Sequence, residues 1–126
     1  MEIKQFDHLV LTVENIEATC RFYETVLGMK VIEFAGGRKA LKFGQQKINL
    51  HEQGKEFEPK ASKPTPGSAD LCLLTHTTIP EVITHLKSCQ VEVIEGPVER
   101  TGAEGPILSI YLRDPDNNLL EIANLI

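Results

Sequence analysis

Alternation of apolar and polar positions divides the chain into two runs of the same kind. From Asp7 to Val13, Leu9, Leu11 and Val13 alternate with His8, Val10 and Thr12, the period of a strand whose two faces do different jobs. Asn15 offers an N-cap, and Ile16, Cys20, Tyr23 and Leu27 recur at helical spacing until Gly28 stops the helix. Strands are predicted next at Lys30–Phe34, Arg38–Phe43 and Gln46–His51, parted by the turn signals Gly36-Gly37 and Gly44-Gln45. The second run repeats this order. Ser68 to Thr75 reads as a strand, then Pro80, Val82, Ile83, Leu86 and Cys89 as a short helix. Strands follow at Val91–Glu95, Ile107–Arg113 and Asn118–Asn124, with Gly96–Pro106 as a loop and Asp114–Asn117 as a turn.

Between the runs, Glu52 to Gly67 is polar, carries three prolines and keeps no period. It is expected to join two half-domains and to serve as a lid over a site. The division is therefore one domain with a first module at 4–52, a linker at 53–67 and a second module at 68–126. An offset of 62 carries His8 onto Asp70, Leu9 and Leu11 onto Leu71 and Leu73, and Val31-Ile32-Glu33 onto Val93-Ile94-Glu95. Such register suggests a duplicated βαβββ unit in an α+β fold.

Composition narrows the chemistry. The formal charge of −5 and the lack of a Lys/Arg cluster argue against nucleic acid as a partner. No apolar stretch is long enough to span a bilayer, and MEIKQFDHLV lacks the pattern of a signal peptide, so no membrane partner and a cytoplasmic location are expected. Cys20, Cys72 and Cys89 are odd in number and without CxxC spacing, which favours buried free thiols. GGRKA lacks the GxGxxG spacing, and no P-loop or Ser-His-Asp order is present.

The faces turned away from the helices carry the candidate site. They hold His8, Val10 and Thr12; Asn49 and His51; Asp70 and Cys72; Ser109, Tyr111 and Arg113; and Leu119, Glu121 and Ala123. The opposite faces are apolar throughout. His, Asp and Glu converging from several strands would suit a divalent metal with open positions for substrate. Arg38 reads as a solvated arginine at a strand start, His76 and His85 as exposed, and the DPDNN run as a turn built for backbone reasons.

HLVLTV, FYETVLGMKV and IYLRDPDNNLLEIAN resemble the glyoxalase/bleomycin-resistance family, or vicinal oxygen chelate superfamily, over nearly the whole chain. KALKFGQQKINLHEQGKEFEPKA, GSADLCLLT and EGPVERTGAEGPILSIYLRDPD resemble the glyoxalase-domain-containing protein 5 group within it. The resemblance implies a curved eight-stranded half-barrel, a homodimer and one divalent metal ion per site, with Ni, Mn, Fe and Zn not distinguished. It also implies chelation of two neighbouring oxygens of a small-molecule substrate. His8 matches the first-strand ligand and Glu121 the last-strand ligand, the latter also a candidate catalytic base. Asn49 stands where glyoxalase I-type enzymes have a glutamate, and Asp70 where many members have a histidine. His51 and Asp70 are thus alternative or joint further ligands, and Ser109, Tyr111 and Asn49 the substrate contacts. Two functions follow: a metal-dependent glyoxalase-like enzyme with lyase or isomerase chemistry favoured, or a metal-free sequestering protein of the bleomycin-resistance type.

Overall fold

The computed structural model describes all residues from Met1 to Ile126, which separate into two compact units, Met1–Pro66 and Gly67–Ile126. The first contains β1 (His8–Val13), α1 (Ile16–Thr25), β2 (Lys30–Phe34), β3 (Arg38–Phe43) and β4 (Gln46–Glu52). The second contains β5 (Asp70–Leu74), α2 (Ile79–Ser88), β6 (Glu95–Gly102), β7 (Gly105–Arg113) and β8 (Leu119–Leu125). Each unit forms its own four-stranded mixed sheet, ordered β1-β4-β3-β2 in one and β5-β8-β7-β6 in the other. The outer pair is parallel and the other pairings are antiparallel in both. The strand ladders thus form two sheets of four, one for each expected βαβββ module.

In the first unit, Asn15 caps α1 by accepting from the Ala18 amide at 2.9 Å. Tyr23 and Val26 bury against a sheet face made by Leu11, Val13, Leu41, Ile48 and Leu50. Burying each such side chain stabilises the unit by about 1.5–3 kcal/mol. The buried stripe of α1 runs through Thr19 and Tyr23, whereas Ile16, Cys20 and Leu27 flank it. The expected stripe was therefore set off by one position, because threonine does not register as apolar although its methyl packs like one.

In the second unit, Thr78 and Glu81 form a capping box at α2, whose Ile79, Val82 and Leu86 are buried. Asn124 on β8 staples the same helix start: its Oδ1 accepts from the Ile79 amide at 2.9 Å, and its Nδ2 donates to the carbonyls of Thr75 and Thr77. At the β7–β8 turn, buried Asp114 accepts from Asn118 Nδ2 at 2.8 Å and from the Asp116 and Asn118 amides. Asn118 Oδ1 in turn accepts from the Ala69 amide at 2.8 Å, tying the start of β5 to the turn.

Two expectations are corrected. Val91–Ile94 is not a strand; β6 occupies Glu95–Gly102, the segment expected to be a loop. Gly96 and Pro97 suggested a break, and the ladder does shift there, between Glu95 and Val98. Gly96 sits at φ +101° with Ser109 O 2.4 Å from where a Cβ would stand, so only glycine lets β6 approach β7. The cysteines are free but not buried: Cys72 is exposed, and Cys20 and Cys89 are half-buried.

Candidate functional site

Each sheet has one apolar face under its helix and one open face, and the open faces hold all the candidate residues. Because β1 and β4 pair in parallel, Val10 stands opposite Asn49 and Thr12 opposite His51. In the second sheet the same arithmetic sets Cys72 beside Glu121, with Tyr111 on the other side of Glu121.

On the first open face, His8 is exposed and its Nδ1 donates to Asp7 Oδ2 at 2.8 Å. In a neutral imidazole that pairing leaves the Nε2 lone pair free. The hydrogen bond from His8 holds the Asp7 carboxyl below the usual range. His51 is buried, with Nε2 accepting from Arg38 at 3.3 Å and its ring 5.6 Å from that of Phe57. Burial, then the Arg38 charge, lower its pKa, which keeps it neutral. Asn49 is buried between these strands, and its Oδ1 meets no donor.

On the second open face, half-buried Glu121 accepts from Ser109 Oγ at 2.5 Å through Oε2. The Cys72 thiol also bonds to it. Burial first, then the Glu121 charge and hydrogen bond, then Asp70, push that thiol up to about 11. Arg100 does not neutralise Glu121. It donates through Nε to Tyr111 Oη at 2.9 Å and through Nη2 to Glu95 at 2.6 Å. A cavity of about 460 Å³ opens here, lined by Cys72, Leu74, Arg100, Glu104, Ile107 and Glu121 among others. Asp70, exposed at the start of β5, shares the face with Cys72. His76 and His85 are exposed as expected.

In neither unit do three His, Cys, Asp or Glu side chains converge on a cation. Residue by residue, two of the candidates have the chemistry of ligands. His8 has an oriented imidazole, and Glu121 is a carboxylate held by a hydroxyl and in no ion pair, since Arg100 in the same cavity pairs with Glu95. His51 suits a metal poorly, since its lone pair is taken by a guanidinium whose charge repels a cation. Asp70 has the charge but no group that orients it.

Arg38, expected to be a solvated arginine at a strand start, is instead half-buried, with Nε shielded from solvent and Nη2 on His51. Alternation placed Arg38 on the face of Ala40 and Asn49, so the signal was present. Phe57, which covers Arg38 from the aperiodic stretch after β4, left none.

Comparison with known proteins places these features. The model of the Glyoxalase/Bleomycin resistance protein/Dioxygenase superfamily matches residues 5–122. Virulence protein STM3117 of Salmonella typhimurium is 59% identical over 126 residues, all of this chain and 88% of that protein. Its crystal structure matches with a TM-score of 0.99 over 100% of both chains. Glyoxalase domain-containing protein RDO1 of Mycosarcoma maydis is 56% identical over 124 residues, 98% of this chain and 70% of that protein. Two remote structures share the fold alone. A variant of FosX, the fosfomycin resistance protein of Listeria monocytogenes, complexed with Mn(II) and 1S,2S-dihydroxypropylphosphonic acid, is 22% identical with a TM-score of 0.65 over 96% of this chain and 90% of that one. TnmS3, an antibiotic binding protein from Streptomyces, is 20% identical with a TM-score of 0.77 over 100% of this chain and 99% of that one.

Proposed function

This chain belongs to the Glyoxalase/Bleomycin resistance protein/Dioxygenase superfamily, and from that premise we propose a divalent-metal-dependent enzyme of glyoxalase-like lyase or isomerase chemistry acting on a small oxygenated metabolite. The observation that carries this reading is Glu121. It is a half-buried carboxylate at a cavity, oriented by Ser109 at 2.5 Å and left without a cationic partner. His8, with Nδ1 held by Asp7, is the second proposed ligand, and Asp70 the third in preference to His51. A divalent cation held by such groups would supply Lewis-acid stabilisation of negative charge on substrate oxygens.

The chain's own groups have separate roles. Glu121 is the proposed proton acceptor, its oxygen positioned by the Ser109 hydroxyl. Cys72 stays a protonated thiol at neutral pH, so it is a hydrogen-bond donor to Glu121 and not a competing nucleophile. Tyr111 and Asn49 are the proposed substrate contacts, and Ser109 acts through Glu121. The proposal includes membership of the glyoxalase-domain-containing protein 5 group and a homodimer. The apolar residues Val10, Leu74 and Leu125 stand exposed, two of them on the edge strands β1 and β5. A cytoplasmic location is part of the same reading, supported by three free thiols. No helix is long and apolar enough to cross a membrane.

A second reading, a metal-free binder of a small molecule, is favoured by the other open face. There Asn49 occupies the strand position that Glu121 holds in the second unit, and His51 is engaged by Arg38. Calorimetry separates the two. Chelator-stripped protein is titrated with Ni²⁺, Mn²⁺, Fe²⁺ and Zn²⁺, alongside His8→Ala and Glu121→Ala. One tight equivalent per chain, lost in both variants, supports the enzyme. Absence of binding, or affinity unchanged in both, leaves the binder.

A further inference from the structure

The first unit carries an arginine that forms no ion pair. The side-chain ion pairs of that unit are His8–Asp7, Lys39–Glu33, Lys55–Glu52 and Lys60–Glu58, and Arg38 is in none of them. The Glu56 charge reaches His51 and the Asp7 charge reaches Lys47, but neither carboxylate pairs with Arg38. Asp7 accepts from His8 at 2.8 Å, and Glu56 accepts from the Gly54 amide at 3.0 Å. Instead of an acid, Arg38 has aromatic and imidazole neighbours. Its guanidinium carbon lies 5.2 Å from the centroid of Phe34 and 4.5 Å from that of Phe57, and Nη2 donates to His51 Nε2 at 3.3 Å. Lys47 adds a second positive charge, 3.9 Å from the Phe34 centroid.

Two polar atoms on this face are shielded from solvent and unfilled: Arg38 Nε, a donor, and Asn49 Oδ1, an acceptor. Native structures rarely leave such groups unmet. Ala40, two residues from Arg38 on the same face, stands directly opposite Asn49, so the two orphans are diagonal neighbours within reach of one small molecule. The donor asks for an anion, and the planar fork of arginine suits a carboxylate or phosphonate. The acceptor asks for a hydroxyl. Stacking between two rings and the bond to a neutral imidazole hold the fork in place before anything binds.

The geometry points to a binding site on the open face of the first unit for a small hydroxylated oxyanion, its acid group on Arg38 and its neighbouring hydroxyl on Asn49. This deepens the proposed function by giving the small oxygenated ligand a charge, and it rests on that reading only for the ligand's size and class. The site lies wholly in the first unit and needs no metal.

The test follows the Arg38 side-chain Nε–H resonance by NMR in chelator-stripped protein at constant ionic strength. The probes are acetate, glycolate, methylphosphonate and hydroxymethylphosphonate. Saturable shifts are expected for at least one acid, with the hydroxylated member of its pair binding at least threefold tighter. The preferred pair identifies the acid as carboxylate or phosphonate. Binding, followed by backbone amides of β3 and β4, should weaken at least tenfold in Arg38→Gln and at least threefold in Arg38→Lys, which keeps the charge and loses the fork. Two variants guard against one failing to fold. Absence of saturable shifts, no gain from the hydroxyl, or unchanged affinity in either folded variant overturns the site. Because no metal is present, a negative result here leaves the metal titration untouched, and loss of metal binding leaves this result untouched.

Discussion

Two units with the same strand order carry opposite chemistry on their open faces. In the first, the position opposite Val10 on the parallel partner strand is Asn49, and the surrounding groups are Arg38, His51 and Lys47. In the second, the position opposite Cys72 is Glu121, with Ser109 and Asp70 on the same face. The one arginine lining the second cavity, Arg100, is turned onto Glu95 and Tyr111. The covered faces do not differ in kind: both are aliphatic layers under a ten-residue helix. A repeated βαβββ frame thus fixes where side chains stand, and substitutions on one face alone leave an unpaired arginine in one unit and an unpaired carboxylate in the other.

The largest effects should come from the covered faces, and there the units should behave alike. Leu50→Ala and Leu120→Ala each truncate a fully buried side chain, and each should cost about 2–5 kcal/mol in urea unfolding. A cost below about 1 kcal/mol at either position would break the equivalence of the two cores.

The next effect is specific to the second unit. Asp114→Ala removes the acceptor of the Asn118 side chain and of two turn amides, and should cost about 1–3 kcal/mol. Asp114→Asn, which keeps one acceptor, should recover part of that loss.

On the first open face, Phe57→Leu takes the aromatic ring from above the Arg38 guanidinium and should cost about 0.5–2 kcal/mol. The same change in an Arg38→Met background should cost less, and a double-mutant cycle with no coupling would remove the stacking contact from the account.

The smallest effect is a shift in reactivity. A thiol raised to about 11 is protonated at neutral pH, so site-resolved alkylation of Cys72 in metal-free protein should accelerate only as pH climbs toward that value, above the ordinary 9.0. Glu121→Gln removes the charge that opposes the thiolate and should move the inflection back toward 9.0. An inflection already near 9.0 in the unmodified protein would place Cys72 away from Glu121.

Most of this frame was legible from alternation, since period two needs only the nearest neighbours to declare a face. β5 starts 62 residues after β1 and α2 63 after α1, and the offset then widens, in part because β6 and β7 have eight and nine residues against five and six in β2 and β3. Pairing register therefore links Asn49 to Glu121 at a spacing of 72 instead of 62. β6 was hidden because Gly96 and Pro97 are loop-like locally, while an edge strand with a bulge tolerates both. His8, Asn49, Asp70, Ser109, Tyr111 and Glu121 fell on their faces by period alone. What no period could convey is engagement: Arg38 takes the His51 lone pair, and Phe57 folds back from a stretch without pattern.

The proposal that Glu121 of the second unit holds a divalent cation is tested most directly by electron paramagnetic resonance of Mn²⁺ added to chelator-stripped protein, comparing the natural chain with Glu121→Gln. The glutamine keeps the shape and an acceptor for Ser109 but loses the charge. About one bound Mn²⁺ per chain, its signal returning to that of the free ion in the variant, is the predicted result. Free Mn²⁺ in both samples, or equal binding in both, would contradict it.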